Sequence, residues 1–504
     1  MLLRKLNHTP TVPHGGHDRC IGRLFAVSGG VLLLASTVIN RPSDGGGVQI
    51  RRVRVKDKEF LAKRHEAGTF QVRDSVKEAN HLKTTTGQRY LHLPVWTSIF
   101  AGVSLVPMIN IDFTIARIDA FHIAFTDEPS YWEDYKGKGG DDAGARFEFR
   151  DGWRTVYPLT VEGYLLRVEL ADGSIGWGEG NCPIGPEVAC LVAESLQQPM
   201  VRGREFGSPL QLWDFLYDAQ RGRGYASGYW LDAMAAIDIA LYDAIGRRED
   251  VPVSAMLCDR PRTELPVYLS GLRRRTPEDR LENLKDWLGT GLTGVKLFVD
   301  GDLDAGTAEV EFLQAGAGDA TDRWMVDTLW MVSTENGPEA RRRYGELNCT
   351  WLECPLEPED LQGHRELLTH PGAPIALGEH FRTHFQTEAW FESPRSLDIF
   401  QPDIGRTGFS DGLRQLQQAN AAGVPTTPHM GNGLGPFQAA TLHFSTACGH
   451  EHLQEYQAGL ADRATLVGST AWTYADGKFV VPNTPGLGVE VDEQALGRYV
   501  VNKP

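Results

Sequence analysis

Cysteine is scarce in this chain of 504 residues, and its seven cysteines include no C-x-x-C pair. An odd number of scattered cysteines argues against a disulfide framework and against a structural zinc site. The pattern favours ordinary buried thiols in a reducing compartment, so we expect a cytoplasmic protein. Nucleotide-binding signatures are missing as well, since the sequence has neither a G-x-x-x-x-G-K-S/T phosphate loop nor a Rossmann fingerprint.

Basic residues are outnumbered, because 50 Lys and Arg against 66 Asp and Glu give a net charge of −16. Such an excess of negative charge argues against a protein that binds nucleic acid or anionic membranes. The excess is uneven: residues 1–107 carry a net charge of +9, and the remainder carries −25. The chain therefore contains two chemically different parts.

Residues 1–107 show no sustained helical or strand period. Their long apolar stretch, Leu24 to Ile39, follows several basic residues, as in a signal peptide or a short membrane anchor. It is short for a membrane span and is interrupted by Gly, Ser and Thr. We therefore interpret residues 1–107 as a disordered extension or an over-long translation start, with a signal or anchor as the alternative.

Folded structure is expected from Met108 onward. Met108 opens a stretch with strand-like alternation, Val161 to Leu170 reads as a further strand, and Tyr229 to Arg248 has apolar residues at helical spacing. Residues 108–262 are thus predicted to form an α+β domain. Residues from about 124 to 156 are predicted to form a long loop. Loops of this length in compact domains usually have a function, so we expect this loop to be functional.

Residues 263–456 alternate between short apolar runs and helix-length spacers. Eight strands in this arrangement are what a (β/α)₈ barrel needs, so we predict an α/β fold in which the barrel follows the α+β domain. The predicted strands are Val267–Ser270, Gly294–Phe298, Trp324–Asp327, Trp351–Glu353, Ile375–Glu379, Ile399–Asp403, Val424–His429 and His452–Glu455.

Polar residues end six of these runs, at intervals of 26, 26, 24, 26 and 26 residues. So regular a period places each of them at the same point of successive βα units, which in a barrel is the rim that carries the active site. Five carboxylates cannot share one barrel mouth without a cation or a shared proton. The six residues are Asp327, Glu353, Glu379, Asp403, His429 and Glu455.

The residue types suggest roles. The first three carboxylates follow consecutive strands and suit Mg²⁺, which prefers oxygen ligands. Asp403 and His429 end adjacent strands, where the carboxylate would orient the imidazole as a general base. Glu455 could donate a proton to a developing enolate oxygen, or only bind a neighbouring strand end.

Three further residues are candidates for the site. Lys296 and Phe298 lie two residues apart on the second strand, so both side chains point into the barrel. Lys296 could neutralise a substrate carboxylate or only extend to the rim. His380 directly follows the third predicted metal ligand and could contact substrate or lie at the surface.

Together these residues resemble the enolase superfamily, and within it the mandelate racemase subgroup, over about residues 108–504. The resemblance implies Mg²⁺ on the three carboxylates, the Asp403–His429 dyad as general base, Glu455 as electrophile, and a capping domain closed by residues 457–504. Members of the subgroup abstract the proton α to a carboxylate, and Mg²⁺ stabilises the enediolate. The matching segments are Gly294–Phe298, Met325–Asp327, Trp351–Pro355, Leu377–Glu379, Gln401–Gly408, Pro428–His429 and Gln454–Tyr456.

Phe298 departs from the subgroup pattern, which has a second lysine there as the base on the opposite face. Phe298 cannot accept a proton, so the resemblance favours single-base dehydration of an acid sugar to a 2-keto-3-deoxy acid. His429 would take the α-proton and Lys296 would bind the substrate carboxylate. A racemase or epimerase and a non-catalytic carboxylate-binding protein are the alternatives. Since family members are often symmetric oligomers, we expect a homo-oligomer with a small-molecule acid as its partner.

Overall fold

The chain divides into two units, Met1–Trp96 and Thr97–Pro504, in the computed structural model. None of the helices in the described part of the chain is long and apolar enough to cross a membrane. The structure describes residues 18–28, 31–40, 49–50, 110–125, 146–150, 153–321, 323–431, 433–449, 453–457 and 463–501.

The first unit contains three antiparallel strands, in the order β1-β2-β3. They are β1 (Asp18–Ser28), β2 (Val31–Asn40) and β3 (Gln49–Ile50). The apolar stretch Leu24 to Ile39, in which we found no strand period, is therefore divided between two paired strands. The remainder of the predicted extension, residues 1–107, lies outside the described residues, so its interpretation as an extension or mis-assigned start stays a prediction.

The second unit begins with an antiparallel sheet in the order β8-β7-β4-β9. One face of the sheet packs against helices, and part of the other face packs against later segments of the chain, so most side chains of β7 are buried. Within the predicted loop at 124–156 lies a separate hairpin, β5 paired with β6. The strands are β4 (Phe113–Phe125), β5 (Phe147–Arg150), β6 (Thr155–Pro158), β7 (Val161–Leu170), β8 (Ile175–Glu179) and β9 (Glu205–Phe206).

A long central helix, Tyr229–Arg248, covers this sheet and is buried over nearly its whole length. A π-helical turn, Val192–Gln197, joins the first two helices of the domain. In chain order the helices are α1 (Pro186–Leu191), α2 (Gln198–Val201), α3 (Pro209–Arg221), α4 (Tyr229–Arg248) and α5 (Val253–Leu257).

The predicted barrel follows. Its parallel strands run in the order β15-β14-β13-β12-β11-β10, and β16 pairs with β10. The predicted seventh strand, Val424–His429, is reduced to two parallel bridges, Phe400 with Thr426 and Asp403 with His429. The strands are β10 (Glu264–Ser270), β11 (Gly294–Phe298), β12 (Arg323–Asp327), β13 (Cys349–Glu353), β14 (Ile375–Leu377), β15 (Ile399–Phe400) and β16 (Gln454–Tyr456).

Helices separate the barrel strands, and several begin with a side-chain cap or a proline in the first turn, as helix starts require. They are α6 (Pro277–Leu288), α7 (Leu303–Ala317), a 3₁₀ turn (Gly318–Ala320), α8 (Gly337–Glu346), α9 (Leu361–Leu367), α10 (His384–Phe391), α11 (Ile404–Ala422) and α12 (Pro436–Ser445).

The C-terminal segment contacts both domains. One of its strands pairs with the start of β10, and its end runs beside β4, where the Ala124 amide donates to the Tyr499 carbonyl at 3.0 Å. Its elements are α13 (Ala464–Val467), β17 (Gly468–Thr470), β18 (Thr473–Ala475), β19 (Lys478–Val480), β20 (Val489–Val491) and α14 (Glu493–Leu496).

Two glycines of β8 let this strand lie directly against α4. A Cβ atom on Gly176 would stand 2.0 Å from the Ala240 carbonyl oxygen, and one on Gly178 would stand 2.0 Å from that of Ala236. No rotamer change relieves a clash with backbone. Close packing against α4 therefore accounts for the glycines at positions 176 and 178.

We predict that Gly178→Ala lowers the free energy of unfolding by about 3 kcal/mol or more, because the added methyl group forces β8 away from α4. Gly222→Ala is the matched control, since Gly222 has φ −66° and open space around its Cβ position. That change should be neutral or stabilising by about 0.5 kcal/mol. Urea unfolding monitored by circular dichroism measures both; equal stability of Gly178→Ala and wild type would contradict the packing argument.

Candidate active site

The carboxyl ends of the parallel strands meet at one rim of the barrel, and the side chains that follow them form the candidate active site. The register pairs Asp327 with Glu353, and a parallel bridge joins Asp403 to His429. Glu455 belongs to β16, which closes the barrel against β10. The regular sequence spacing thus corresponds to equivalent positions on successive strands.

Lys296 is the cation inside this rim. Its Nζ lies 2.5 Å from Glu353 Oε1, 2.9 Å from Glu455 Oε1 and 3.7 Å from Asp327 Oδ2, and the side chain is only 1% exposed. Burial alone would lower the pKa of Lys296, but the surrounding carboxylates raise it well above its usual range. Lys296, predicted to bind a substrate carboxylate, is therefore engaged by carboxylates of the protein itself.

Asp327 and Glu353 form the core of a possible metal site. Their carboxylate oxygens and the Cys354 thiol all lie within 4.8 Å of one another. Burial, together with the Glu353 carboxylate, raises the pKa of Asp327 well above its usual range. A divalent cation would relieve this repulsion, and the oxygen donors suit Mg²⁺ far better than the thiol does.

Glu353 is held in place by two further donors. Its Oε2 accepts from Trp351 Nε1 at 2.9 Å and from Gln401 Nε2 at 2.7 Å. Both donors are buried within the barrel. With Lys296 on Oε1, both oxygens of Glu353 have partners, so its orientation is fixed before any ligand arrives.

Glu379 lies between this carboxylate cluster and the candidate base. Its Oε2 is 3.1 Å from His429 Nε2, and it does not belong to the close group formed by Asp327, Glu353 and Cys354. Its charge still contributes to the raised pKa of Asp327. Its role as third metal ligand stays a prediction.

Asp403 and His429 are hydrogen-bonded as a dyad. His429 Nδ1 and Asp403 Oδ2 are 2.7 Å apart, and Asp403 is completely buried. Burial would lower the pKa of His429, but the carboxylates of Glu379, Glu455 and Asp403 outweigh it and raise the pKa to about 9. This arrangement fixes the imidazole and directs Nε2 towards Glu379 and the barrel mouth.

Glu455 accepts from the backbone N–H of Met430 at 2.8 Å through its second oxygen. Burial opposes ionisation of Glu455, yet the nearby charges of Lys296 and His429 lower its pKa to about 2. In this charge arrangement Glu455 is a carboxylate paired with Lys296, and the Lys296 ammonium carries the proton of the pair.

His380 is packed among aromatic rings. Its ring centroid lies 4.9 Å from that of Trp330 and 3.9 Å from that of Phe381. Burial lowers the pKa of His380 to about 3, so the ring is neutral. Its predicted contact with substrate stays a prediction, and the surroundings indicate at least a packing role.

Phe298 forms the wall opposite the dyad together with the β5–β6 hairpin of the capping domain. Trp153 (5% exposed) and Phe298 (7% exposed) pack in one small cluster. The Lys296 ammonium lies 5.4 Å from the Phe298 ring centroid. Arg154 ties the hairpin to the rim, since it donates to the Trp330 carbonyl at 2.9 Å.

Sequence reasoning missed two capping-domain residues at the site, Asn181 and Trp153. Asn181 Nδ2 donates to Asp403 Oδ2 at 2.6 Å, across 222 positions of sequence, and no period or motif signals such a contact. Trp153 had a weak signal, because it lies in the long aromatic loop that we expected to be functional.

An acidic rim with a buried lysine and a His–Asp dyad, on a barrel with an α+β cap, defines a class of enzymes that abstract protons from anionic substrates. Residues 279–495 match the family model described as enolase C-terminal domain-like, and residues 160–258 match the N-terminal domain of mandelate racemase / muconate lactonizing enzyme. The chain belongs to the mandelate racemase subgroup of the enolase superfamily. The predicted family, fold class and enzyme character are confirmed.

Curated relatives are similar over most of their own length. D-galactonate dehydratase of Verminephrobacter eiseniae is 28% identical over 360 residues, covering 67% of this chain and 91% of the relative. D-galactarolactone cycloisomerase of Agrobacterium fabrum is 26% identical over 354 residues, covering 68% and 92%. A crystal structure of an enolase superfamily member from Agrobacterium tumefaciens has TM-score 0.71 and 29% identity, covering 77% of this chain and 99% of that one.

We predict that Lys296→Met makes folding depend on divalent cations. Without the ammonium, Glu353 and Glu455 remain buried and unpaired, which costs about 3–5 kcal/mol. A cation bound nearby would recover part of that cost. Thermal melts in EDTA and in MgCl₂ should therefore differ more for Lys296→Met than for wild type.

The matched control for that experiment is Lys478→Met. Lys478 pairs with Glu264, but both side chains are about half exposed, so removal of this pair should cost less than about 1 kcal/mol. Its melting difference between EDTA and MgCl₂ should equal that of wild type. An equal difference in Lys296→Met would contradict the role of Lys296 as internal cation.

Proposed function

We propose that this protein is a Mg²⁺-dependent dehydratase of an acid sugar, an aldonate or aldarate. It would remove the proton α to the substrate carboxylate, eliminate the β-hydroxyl as water and yield a 2-keto-3-deoxy acid. The observation that carries the proposal is the His429–Asp403 hydrogen bond of 2.7 Å, which leaves Nε2 at the barrel mouth. The names of the curated relatives, among them D-galactonate and L-rhamnonate dehydratases, support the substrate class.

Asp327, Glu353 and Glu379 would hold the metal ion. Bound Mg²⁺ supplies Lewis-acid stabilisation of the negative charge that develops on the substrate carboxylate. The fit is supported by the close grouping of the Asp327 and Glu353 carboxylates and by the raised pKa of Asp327, which burial and then the charges of Glu353 and Glu379 cause. Glu379 would then have its charge offset, which favours the neutral imidazole that a base at His429 needs.

In this proposal, one residue, His429, both accepts and returns the proton. His429 Nε2 takes the α-proton while the C–H bond breaks, and Asp403 stabilises the imidazolium that forms. The same proton then goes to the β-oxygen as the C–O bond breaks and water leaves, which gives an enol. The enol becomes the 2-keto-3-deoxy acid when it loses its O–H proton and its β-carbon gains one. His429 ends neutral, so no second base is required.

Lys296 and Glu455 would act as a pair beside the reacting carboxylate. The ammonium lies between Glu353 and Glu455, at 2.5 and 2.9 Å, and is placed to support negative charge that develops on the substrate. Its low exposure means that this support is electrostatic and preorganised. The resemblance implies that Glu455 is the electrophile. In this proposal, the Lys296–Glu455 pair has that role.

The opposite wall favours dehydration over racemisation. Phe298 and Trp153 are apolar and buried together, so neither side chain can accept or return a proton on that face. A racemase needs bases on both faces. A second candidate is a cycloisomerase of an aldarolactone, which the similarity to D-galactarolactone cycloisomerase favours.

We predict that a library of aldonates, aldarates and their lactones, tested with MgCl₂, contains a substrate converted to a 2-keto-3-deoxy acid. Semicarbazide detection of the keto product and NMR of the reaction identify it. His429→Asn should abolish turnover while Mg²⁺ binding, measured by calorimetry, is retained. His370→Asn is the matched control, because His370 lies near the amino end of β14, away from the rim. Absence of product with every acid would count against the proposal, and a ring-opened product without dehydration would favour the cycloisomerase.

We predict that Phe298→Lys introduces a second base. In D₂O, recovered substrate should carry deuterium with inverted configuration at the α-carbon, which wild type should not produce. Phe298→Met is the control, because it changes the ring to a flexible apolar side chain without adding a base. Inverted, deuterated substrate from the wild-type enzyme would contradict single-base chemistry.

A further inference from the structure

We propose that Asn181 of the capping domain is a positioning residue for the Asp403–His429 dyad, so that correct docking of the cap is required for an active general base. This inference rests on the proposed function, in which His429 is that base. None of the recognised motifs includes Asn181. Asn181 reaches the dyad because strand β8 of the cap ends next to the dyad.

Two donors converge on one oxygen of Asp403. Asn181 Nδ2 lies 2.6 Å from Oδ2, and His429 Nδ1 lies 2.7 Å from the same atom. Asn181 is 5% exposed and Asp403 is completely buried, so water cannot replace either donor easily. The other oxygen, Oδ1, has no hydrogen-bond partner among the described residues.

The unpartnered Oδ1 explains why the amide matters. Without Asn181, the imidazole would be the one remaining hydrogen-bond donor to this carboxylate among the described residues, and the carboxylate could rotate away from the position that Nδ1 needs. A neutral amide donor fixes the rotation without adding charge. An ionised carboxylate gains more from such a bond than a neutral acceptor does.

The surrounding backbone is shaped around Asn181. Its N–H donates to the Gly405 carbonyl at 2.9 Å. A Cβ atom on Gly405 would stand 2.7 Å from Asn181 N, and one on Gly431 would stand 2.7 Å from Asn181 Nδ2. Glycines two residues after Asp403 and two after His429 therefore leave room for the same side chain.

Glu179 extends this contact to the next loop. Its two carboxylate oxygens accept from the Leu434 N–H at 2.6 Å and the Phe437 N–H at 3.0 Å. Glu179 and Asn181 together bind the segments that follow both members of the dyad. The cap thus holds the position of the base directly, in addition to covering the substrate.

The test compares Asn181→Ala, Asn181→Asp and Asn181→Ser with Ser410→Ala. Asn181→Asp keeps the side-chain volume but exchanges a hydrogen-bond donor for an acceptor. Asn181→Ala removes the donor and also reduces the side-chain volume. Ser410→Ala is the matched control: it removes another buried bond between cap and barrel, from Ser410 Oγ to Asp238 at 2.5 Å, away from the dyad. Asn181→Ser serves if the aspartate variant does not fold.

Two readouts separate positioning from packing. The first needs no substrate: the downfield proton resonance of His429 Nδ1–H, assigned by its loss in His429→Asn, is recorded in MgCl₂. The second is kcat and KM with the acid identified by the library screen, beside Mg²⁺ affinity and melting temperature. If no acid is turned over, the proposed function fails but the resonance still tests Asn181.

We expect the resonance to shift or disappear in the Asn181 variants, and kcat to fall about 10- to 100-fold with little change in KM or Mg²⁺ affinity. The aspartate variant should be at least as impaired as the alanine variant. Ser410→Ala should lose stability while it keeps both the resonance and kcat. An unchanged resonance in the Asn181 variants, a wild type without the resonance, or a kcat loss equal to that of Ser410→Ala would overturn the proposal.

Discussion

The concentration of carboxylates at one rim of the barrel is the constraint on which the rest of the site depends. Buried acids repel each other strongly in a medium of low polarity, and here the Lys296 ammonium lies among Asp327, Glu353 and Glu455 and offsets part of that repulsion. One ammonium against three carboxylates leaves net negative charge, and burial together with the Glu353 carboxylate raises the pKa of Asp327. A site of this kind is stable because the strands fix the acids, and it is ready for a cation because their charge is not fully offset.

The sequence predicted that these polar residues lie at equivalent strand ends, because their positions follow from a repeated unit. One βα unit has a nearly constant length, so a polar residue at each strand end recurs with a period, and a single chain is enough to detect it. The same logic failed at the seventh strand, Val424–His429, where only two bridges form. Regular spacing places a residue at the rim without determining how much hydrogen-bonded strand precedes it.

Contacts between the two domains could not be predicted in this way. Asn181 meets Asp403 across 222 positions, and Trp153 packs with Phe298 although the two are also far apart in the sequence. Such pairs depend on how the cap docks on the barrel, to which the buried hydrogen bonds from Glu179 to the backbone N–H groups of Leu434 and Phe437 contribute. Side-chain orientations could not be predicted from the sequence either. Glu379, for example, faces His429 instead of the cluster that contains Asp327.

The two faces of the site differ in a way that bears on its chemistry. One face carries His429 with its orienting carboxylate, whereas the other is an aromatic wall that the cap buries. If the α-proton and the leaving hydroxyl are both handled by His429, they must lie on the same side of the substrate as it binds, because Phe298 and Trp153 cannot transfer a proton. Substrate choice then becomes a question of which acid sugar can present both groups to one imidazole. The cap would contribute to that choice twice, through the wall that it builds over Phe298 and through the base that it holds in place.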